Sequence, residues 1–171
     1  GVHFATLLWD CCKFYDNVSL HHLDLLALSL GFPPVQLYMA MLMYLAPRVL
    51  KVNSCYSKLL APYNGILPGC PLATRFTKAL LYWVLHRLFH DHACQTTQTY
   101  IDDLGQRASH QWPLLVRHVL VCAGVALQQV LTAMDLEISD KSTCIASSSR
   151  LGTEITRELV RRQVDIKYAN H

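Results

Sequence analysis

Residues 4–9 (FATLLW) form a short apolar run that ends on Asp10, the pattern of a buried strand with an acid at its C-terminal end. Apolar residues then recur at helical spacing to about Leu30, with Ser19 in the place of an N-cap. Gly31-Phe32-Pro33-Pro34 stops that helix and opens the next, because proline is tolerated in a first turn. Residues 35–45 (VQLYMAMLMYL) are apolar nearly all round, which predicts a core helix. Residues 48–53 and 57–63 alternate as two strands of a hairpin, with Ser54-Cys55-Tyr56 between them. Residues 64–71 (NGILPGCP) hold two glycines and two prolines and must be loop. A long helix follows over about 72–89. Residues 95–101 alternate and run into Asp102-Asp103, and residues 104–108 resume, so both acids fall at the turn of a tight hairpin. Residues 110–134 read as helix, 136–138 and 142–146 as short strands around Lys141, and 150–162 as a basic helix. The order predicts an α+β fold, an antiparallel β-sheet packed against helices, in a single domain spanning residues 1–171.

Composition narrows the class. The chain is 52% hydrophobic and only 16% charged, which excludes intrinsic disorder. The apolar runs 35–46 and 114–125 fall short of the roughly 18–20 clean residues of a membrane span, and the second carries Arg117 and His118, so no membrane partner is expected. Seven cysteines without a CxxC pair argue against a disulfide framework or zinc ribbon. Together with the lack of an export signal, they predict an intracellular protein, in nucleus or cytoplasm. The net charge of +3 permits a nucleic-acid partner without demanding one. The chain opens on Gly1 rather than Met and reads as a piece of something longer.

The candidate chemistry lies in Asp10 and the pair Asp102-Asp103. Adjacent carboxylates in a poorly solvated site resist joint ionisation, and a divalent cation removes that cost. Mg²⁺ prefers hard oxygen ligands and completes its shell with water and phosphate oxygens. One Asp at a strand end and two at a neighbouring hairpin turn can hold two such ions about 3.5–4 Å apart, the spacing of two-metal phosphoryl transfer. Taken singly, each acid is more often an ordinary turn or helix-capping residue.

The residues around these acids carry a family resemblance. Trp9-Asp10-Cys11-Cys12-Lys13-Phe14-Tyr15-Asp16-Asn17-Val18 resembles the first palm motif of reverse transcriptases, an Asp followed five positions later by an aromatic. Residues 64–72, Asn64-Gly65-Ile66-Leu67-Pro68-Gly69-Cys70-Pro71-Leu72, resemble their Gly-rich motif in the form found in non-LTR retrotransposons and group II intron proteins. Tyr100-Ile101-Asp102-Asp103 matches the Y/F-x-D-D box. Leu136-Glu137-Ile138 with Lys141-Ser142 is similar to the motif whose Lys lies near the incoming triphosphate. The four occur in the family's order.

The resemblance implies the palm of an RNA-directed DNA polymerase from a retrotransposon-like element, with fingers and thumb largely missing. It would add dNTPs to a DNA primer on an RNA template by two-metal-ion catalysis. It implies Asp10 and Asp102 as principal ligands of two Mg²⁺ ions, with Mn²⁺ the alternative cofactor. Asp103 would be the auxiliary acid, and the backbone carbonyl of Cys11 would face a metal. Tyr15 would be the sugar gate that excludes a 2′-hydroxyl. Gly65 and Gly69 would let the backbone approach the nascent base pair and template. Lys141 would give a proton to the leaving pyrophosphate or bind its charge. Without the motifs, Tyr15 reads as a core aromatic and Lys141 as a solvated surface residue.

Pro68 stands where the family usually has Gln, and Ala73-Thr74 where Ser-Pro is common. The alternative is therefore a decayed or truncated palm without catalysis, serving as a nucleic-acid-binding or structural domain. A third reading, an RNA-directed RNA polymerase palm, is opposed by Tyr15 and the Tyr-Ile-Asp-Asp box. Elsewhere, His86, His90 and His92 form an H-x3-H-x-H cluster, read as a solvated helix end ahead of a zinc site. Cys11-Cys12 read as small buried residues. Arg157, Arg161, Arg162 and Lys167 would contact phosphates or form an ordinary polar helix face.

Overall fold

Strand β1 (His3–Trp9) buries Ala5, Leu7 and Trp9 and leaves Phe4 and Leu8 exposed on its other face. In the computed structural model, which describes residues 1–91, 95–100 and 103–169, β1 is the middle strand of a five-stranded sheet. Its neighbours are β4 (Thr96–Tyr100), β5 (Asp103–His110), β6 (Thr143–Ala146) and β7 (Lys167–Tyr168), in the order β4-β5-β1-β6-β7. All pairings are antiparallel except the parallel β6–β7. The sheet belongs to one compact unit, Gly1–Cys12 with Leu81–His171; Lys13–Leu80 form a second.

In the first unit, helices α5 (Pro113–Ala133) and α6 (Ser149–Arg161) pack on the sheet: α5 against β1 and β5, α6 against β6. Leu120, Leu127, Leu131, Ile155 and Leu159 are fully buried there with Leu7 and Cys144. Burial pushes the Cys144 thiol up to about 12, so it stays protonated. Gly124 permits the close approach of α5: a Cβ there would stand 3.1 Å from Leu159, 3.2 Å from Leu7 and 3.3 Å from Trp9. Helix α6 starts at Ser148, whose Oγ accepts from the Leu151 amide. Its Glu154 pairs with Arg150 at 3.0 Å and with Arg117 of α5 at 3.4 Å. The Arg150 hydrogen bond holds the Glu154 carboxyl below its ordinary value. The 21 residues of α5 are long and apolar enough to cross a membrane by length and composition, a longer segment than the sequence runs suggest. One side of the helix is spent on the sheet and α6.

The second unit holds α1 (Phe14–Asn17), α2 (Leu20–Ser29), α3 (Pro34–Leu45), the hairpin β2 (Lys51–Val52) and β3 (Cys55–Tyr56), and the start of α4 (Ala73–Asp91). Ser19 caps α2 as expected, accepting from the His22 amide at 3.3 Å. Helices α2 and α3 pack together, and Phe76 meets Phe32 and Tyr44 at ring separations of 5.1 and 6.0 Å.

The structure corrects four local expectations. Helix α3 is not a core helix: only Leu37, Ala40 and Tyr44 are buried, whereas Val35, Tyr38, Met39, Leu42, Met43 and Leu45 are exposed. Periodicity shows which residues share a face, but only the face with apolar neighbours is covered. The β2–β3 hairpin turns at Asn53-Ser54, with Cys55 and Tyr56 in the strand and Asn53 at φ 55°, a conformation Asn tolerates. His110 ends β5 opposite His3, and α5 begins only at Pro113, because Trp112 before the proline is extended. Residues 136–138 form no strand; Ile138 makes a single bridge to Cys11.

Candidate active site

Two aspartates meet at adjacent strand ends. The β1–β5 register runs from His3↔His110 to Trp9↔Leu104, so one further rung sets Asp10 opposite Asp103. Side chains alternate along a strand, which places both acids on the face carrying Leu8 and Gly105. This face is opposite the one that buries Leu7, Trp9, Leu104 and Gln106. The row Gln98–Gly105–Leu8–Thr143 crosses β4, β5, β1 and β6 directly beside the acids. These residues floor an open cleft of about 790 Å³, to which Asp10, Asp103 and Lys141 all contribute.

The support beneath Asp10 is polar and buried. Trp9 Nε1 donates to Gln106 Oε1 at 3.0 Å, and Gln106 Nε2 donates to the Ala123 carbonyl of α5 at 3.0 Å. Gln106 is completely buried, so its two bonds fix β1, β5 and α5 to one another just behind the acids. Asp10's own backbone is tied to the segment leading into β6. The Ser139 amide donates to the Asp10 carbonyl at 2.7 Å. The Ser142 hydroxyl accepts from the Asp10 amide at 3.1 Å and donates to its carbonyl at 3.3 Å.

Asp103 is the first residue of β5, paired with Tyr100, rather than a turn residue. Asp102 and Ile101 of the turn lie outside the described residues. Among the described residues neither Asp10 nor Asp103 makes an ion pair, and no group of three or more His, Cys, Asp or Glu side chains is arranged to hold a metal. Among the described residues, the carboxylates that line the cleft are Asp10 and Asp103. Lys141 is the cleft's cation, exposed, on a turn in which its amide donates to Ser139 Oγ at 3.2 Å.

Tyr15, Gly65 and Gly69 belong to the second unit. Lys13 takes a left-handed conformation, φ 45°, and opens the single turn α1, where Tyr15 stands half-buried with its ring edge-on to buried Phe14. Gly65 is pressed against that turn. Its amide donates to the Val18 carbonyl at 2.9 Å and the Ile66 amide to the Tyr15 carbonyl at 2.8 Å. With φ at 99°, a Cβ on Gly65 would stand 3.1 Å from the Tyr15 carbonyl oxygen. The close approach that Gly65 permits is therefore made to the Tyr15–Asp16 backbone, which fastens the Gly-rich loop to the candidate sugar gate. Gly69 has φ 81° and open space around its Cα, so its requirement is conformational. Pro68 is exposed in the same loop.

Sequence reasoning missed the cleft floor and the backbone supports of Asp10. The floor had a usable signal, since Leu8 and Gly105 stand two residues from an acid and share its face. His86 and His90 do share a helix face, ring centroids 4.7 Å apart, but His92 lies outside the described residues.

The fold is α+β, a mostly antiparallel sheet packed against helices with acids at the ends of two central strands, consistent with a polymerase palm-like fold. No protein-family model matches the chain, and no curated protein matches it in sequence. Among solved structures, apo telomerase from Candida tropicalis truncated from its C-terminal domain matches with a TM-score of 0.63 at 11% identity. The match covers 86% of this chain and 31% of that one, so this chain spans about a third of the telomerase chain. At that identity the likeness is one of fold.

Proposed function

We propose that this chain is the palm of an RNA-directed DNA polymerase from a retrotransposon-like element, adding dNTPs to a primer 3′-hydroxyl on an RNA template. The observation that carries the reading is the register that sets Asp10 opposite Asp103 on the rim of one open cleft shared with Lys141. Two carboxylates on one cleft, neither in an ion pair among the described residues, suit a hard divalent cation. Asp10 and Asp102 are the proposed principal ligands of two Mg²⁺ ions, with Asp103 the auxiliary acid. Such ions, when bound, lower the pKa of the attacking hydroxyl and stabilise the leaving oxygen.

The remaining work falls to the protein's own groups. The primer 3′-hydroxyl gives up its proton to solvent, and its oxygen bonds to the α-phosphorus as the bond to the pyrophosphate oxygen breaks. Lys141 Nζ gives its proton to that leaving oxygen, or holds the pyrophosphate charge. Leu8 and Gly105 offer an apolar, low floor for the primer terminus, and Gln98 and Thr143 flank it. Tyr15 is the proposed sugar gate, the role the motif resemblance implies for it. Fingers and thumb of the full polypeptide would supply the grip that a net charge of +3 does not. The alternative, a palm retained for nucleic-acid binding or as a structural domain without catalysis, is favoured by Pro68, which lacks the donors of the family's Gln.

In primer extension on an RNA template by the natural full-length protein, Tyr15→Ala is expected to lower the preference for dNTP over rNTP by about 100-fold, chiefly by admitting rNTP. The kcat/KM ratio for the two substrates measures it. An unchanged ratio in an active Tyr15→Ala protein would remove Tyr15 from the sugar-gate role.

A further inference from the structure

We propose that the turn Ser139-Asp140-Lys141-Ser142 is a positioning clamp that holds Asp10 and Lys141 in one fixed relation, with the Ser142 hydroxyl as its central group. The inference rests on the reading of the cleft as a polymerase centre and names residues that the motif comparison leaves without a role.

The β1–β6 ladder ends at Leu8↔Thr143. Continued by two residues it would pair Asp10 with Lys141, but the chain turns instead, the Ser142 amide donating to the Ser139 carbonyl at 3.1 Å. A strand that loses its neighbour leaves peptide groups in need of partners. Side chains take over at this point. The single Ser142 hydroxyl meets both the amide and the carbonyl of Asp10, and the Ser139 amide meets the carbonyl as well. Ser142 is 1% exposed and Ser139 5%, so little water reaches these bonds. Neither serine lines the cleft, whereas Asp10 and Lys141 both do. The serines therefore act through the two cleft residues.

The turn is braced from outside by β7. The Lys167 amide donates to the Ser142 carbonyl at 3.2 Å, and Lys167 Nζ lies 3.8 Å from Asp140. Strand β7 is in turn seated by Tyr168, whose ring covers Gly152 so closely that a Cβ there has no room. With both backbone polar groups of Asp10 fixed, the direction of its Cα–Cβ bond, and so the arc its carboxylate can reach, is set before any ligand arrives. The Lys141 backbone belongs to that same turn, its amide held by Ser139 Oγ.

The test compares Ser142→Ala and Ser142→Thr in the natural full-length protein, with folding checked by circular dichroism. Ser142→Ala is expected to speed amide exchange over the end of β1 and lower kcat about tenfold or more, because small misplacements of reacting groups are costly in rate. KM for primer–template is expected to stay within about twofold, since the cleft floor is untouched. Mn²⁺ binding, followed by electron paramagnetic resonance, is expected to weaken about tenfold, as ligand-supporting bonds typically contribute that much. Ser142→Thr keeps the hydroxyl and is expected to retain the native exchange, kcat and Mn²⁺ affinity. A folded Ser142→Ala protein with native exchange, kcat and Mn²⁺ affinity overturns the proposal, as does a folded Ser142→Thr protein that behaves like Ser142→Ala. A native protein that extends no primer, yet shows the exchange difference, instead overturns the polymerase reading and supports the clamp.

Discussion

An Asp10→Asn protein is expected to fold like the native chain and to lose nucleotide addition by about a thousandfold, equivalent to roughly 4 kcal/mol of transition-state stabilisation. Asn has nearly the same shape as Asp, and the hydrogen bonds that fix residue 10 involve its backbone, so Ser139 and Ser142 keep their partners. What changes is the charge on the rim of the cleft. A neutral amide neither balances a divalent cation nor raises the nucleophilicity of a hydroxyl beside it. Steady-state rates at saturating Mg²⁺ and a thermal melt of the same preparation separate the two properties. Native-like activity in Asp10→Asn would exclude Asp10 as a metal ligand.

The second large effect is on stability. Gln106→Leu is expected to destabilise the protein by about 2–3 kcal/mol, measured by urea unfolding. The substitution keeps much of the side-chain volume but removes the acceptor for Trp9 Nε1 and the donor to the Ala123 carbonyl. The cost comes chiefly from the indole N–H, because Trp9 is only 2% exposed and no water can replace the lost partner. Trp9 precedes Asp10, so the loss is expected to lower activity as well. A change within about 0.5 kcal/mol, the range of ordinary surface substitutions, would show that the buried pair is not what holds β1 to β5.

The parts of this structure that could be read in the sequence are those decided by short-range chemistry. Ser19 was legible as a cap because its bond reaches only three residues along the chain. Strand β1 was legible because a short apolar run ending on an acid has few other solutions. The hairpin carrying Asp103 was legible from two alternating runs separated by a polar pair, although Asp103 proved to be in the strand. Asp10 and Asp103 are candidates from their place at a strand end and a hairpin, and Lys141 from the motif resemblance; all three line one cleft.

What escaped depends on partners far away in sequence. The Ser142–Asp10 bond joins residues separated by 132 positions, and nothing local to either announces it. Strand β7 is two residues long and has no periodicity to detect. Helix α3 is apolar on all sides, which says that its surface favours burial but not which faces find a neighbour. The hairpin β2–β3 shows the same limit at smaller scale: alternation identified two strands, but the turn residues Asn53 and Ser54 set the register.

The most direct test of the polymerase reading is primer extension by the natural full-length protein with Mg²⁺, an RNA template and dNTPs, beside its Asp102→Asn variant. Mg²⁺-dependent incorporation of dNTPs that the substitution abolishes is the predicted result. Equal incorporation by the Asp102→Asn protein would contradict it.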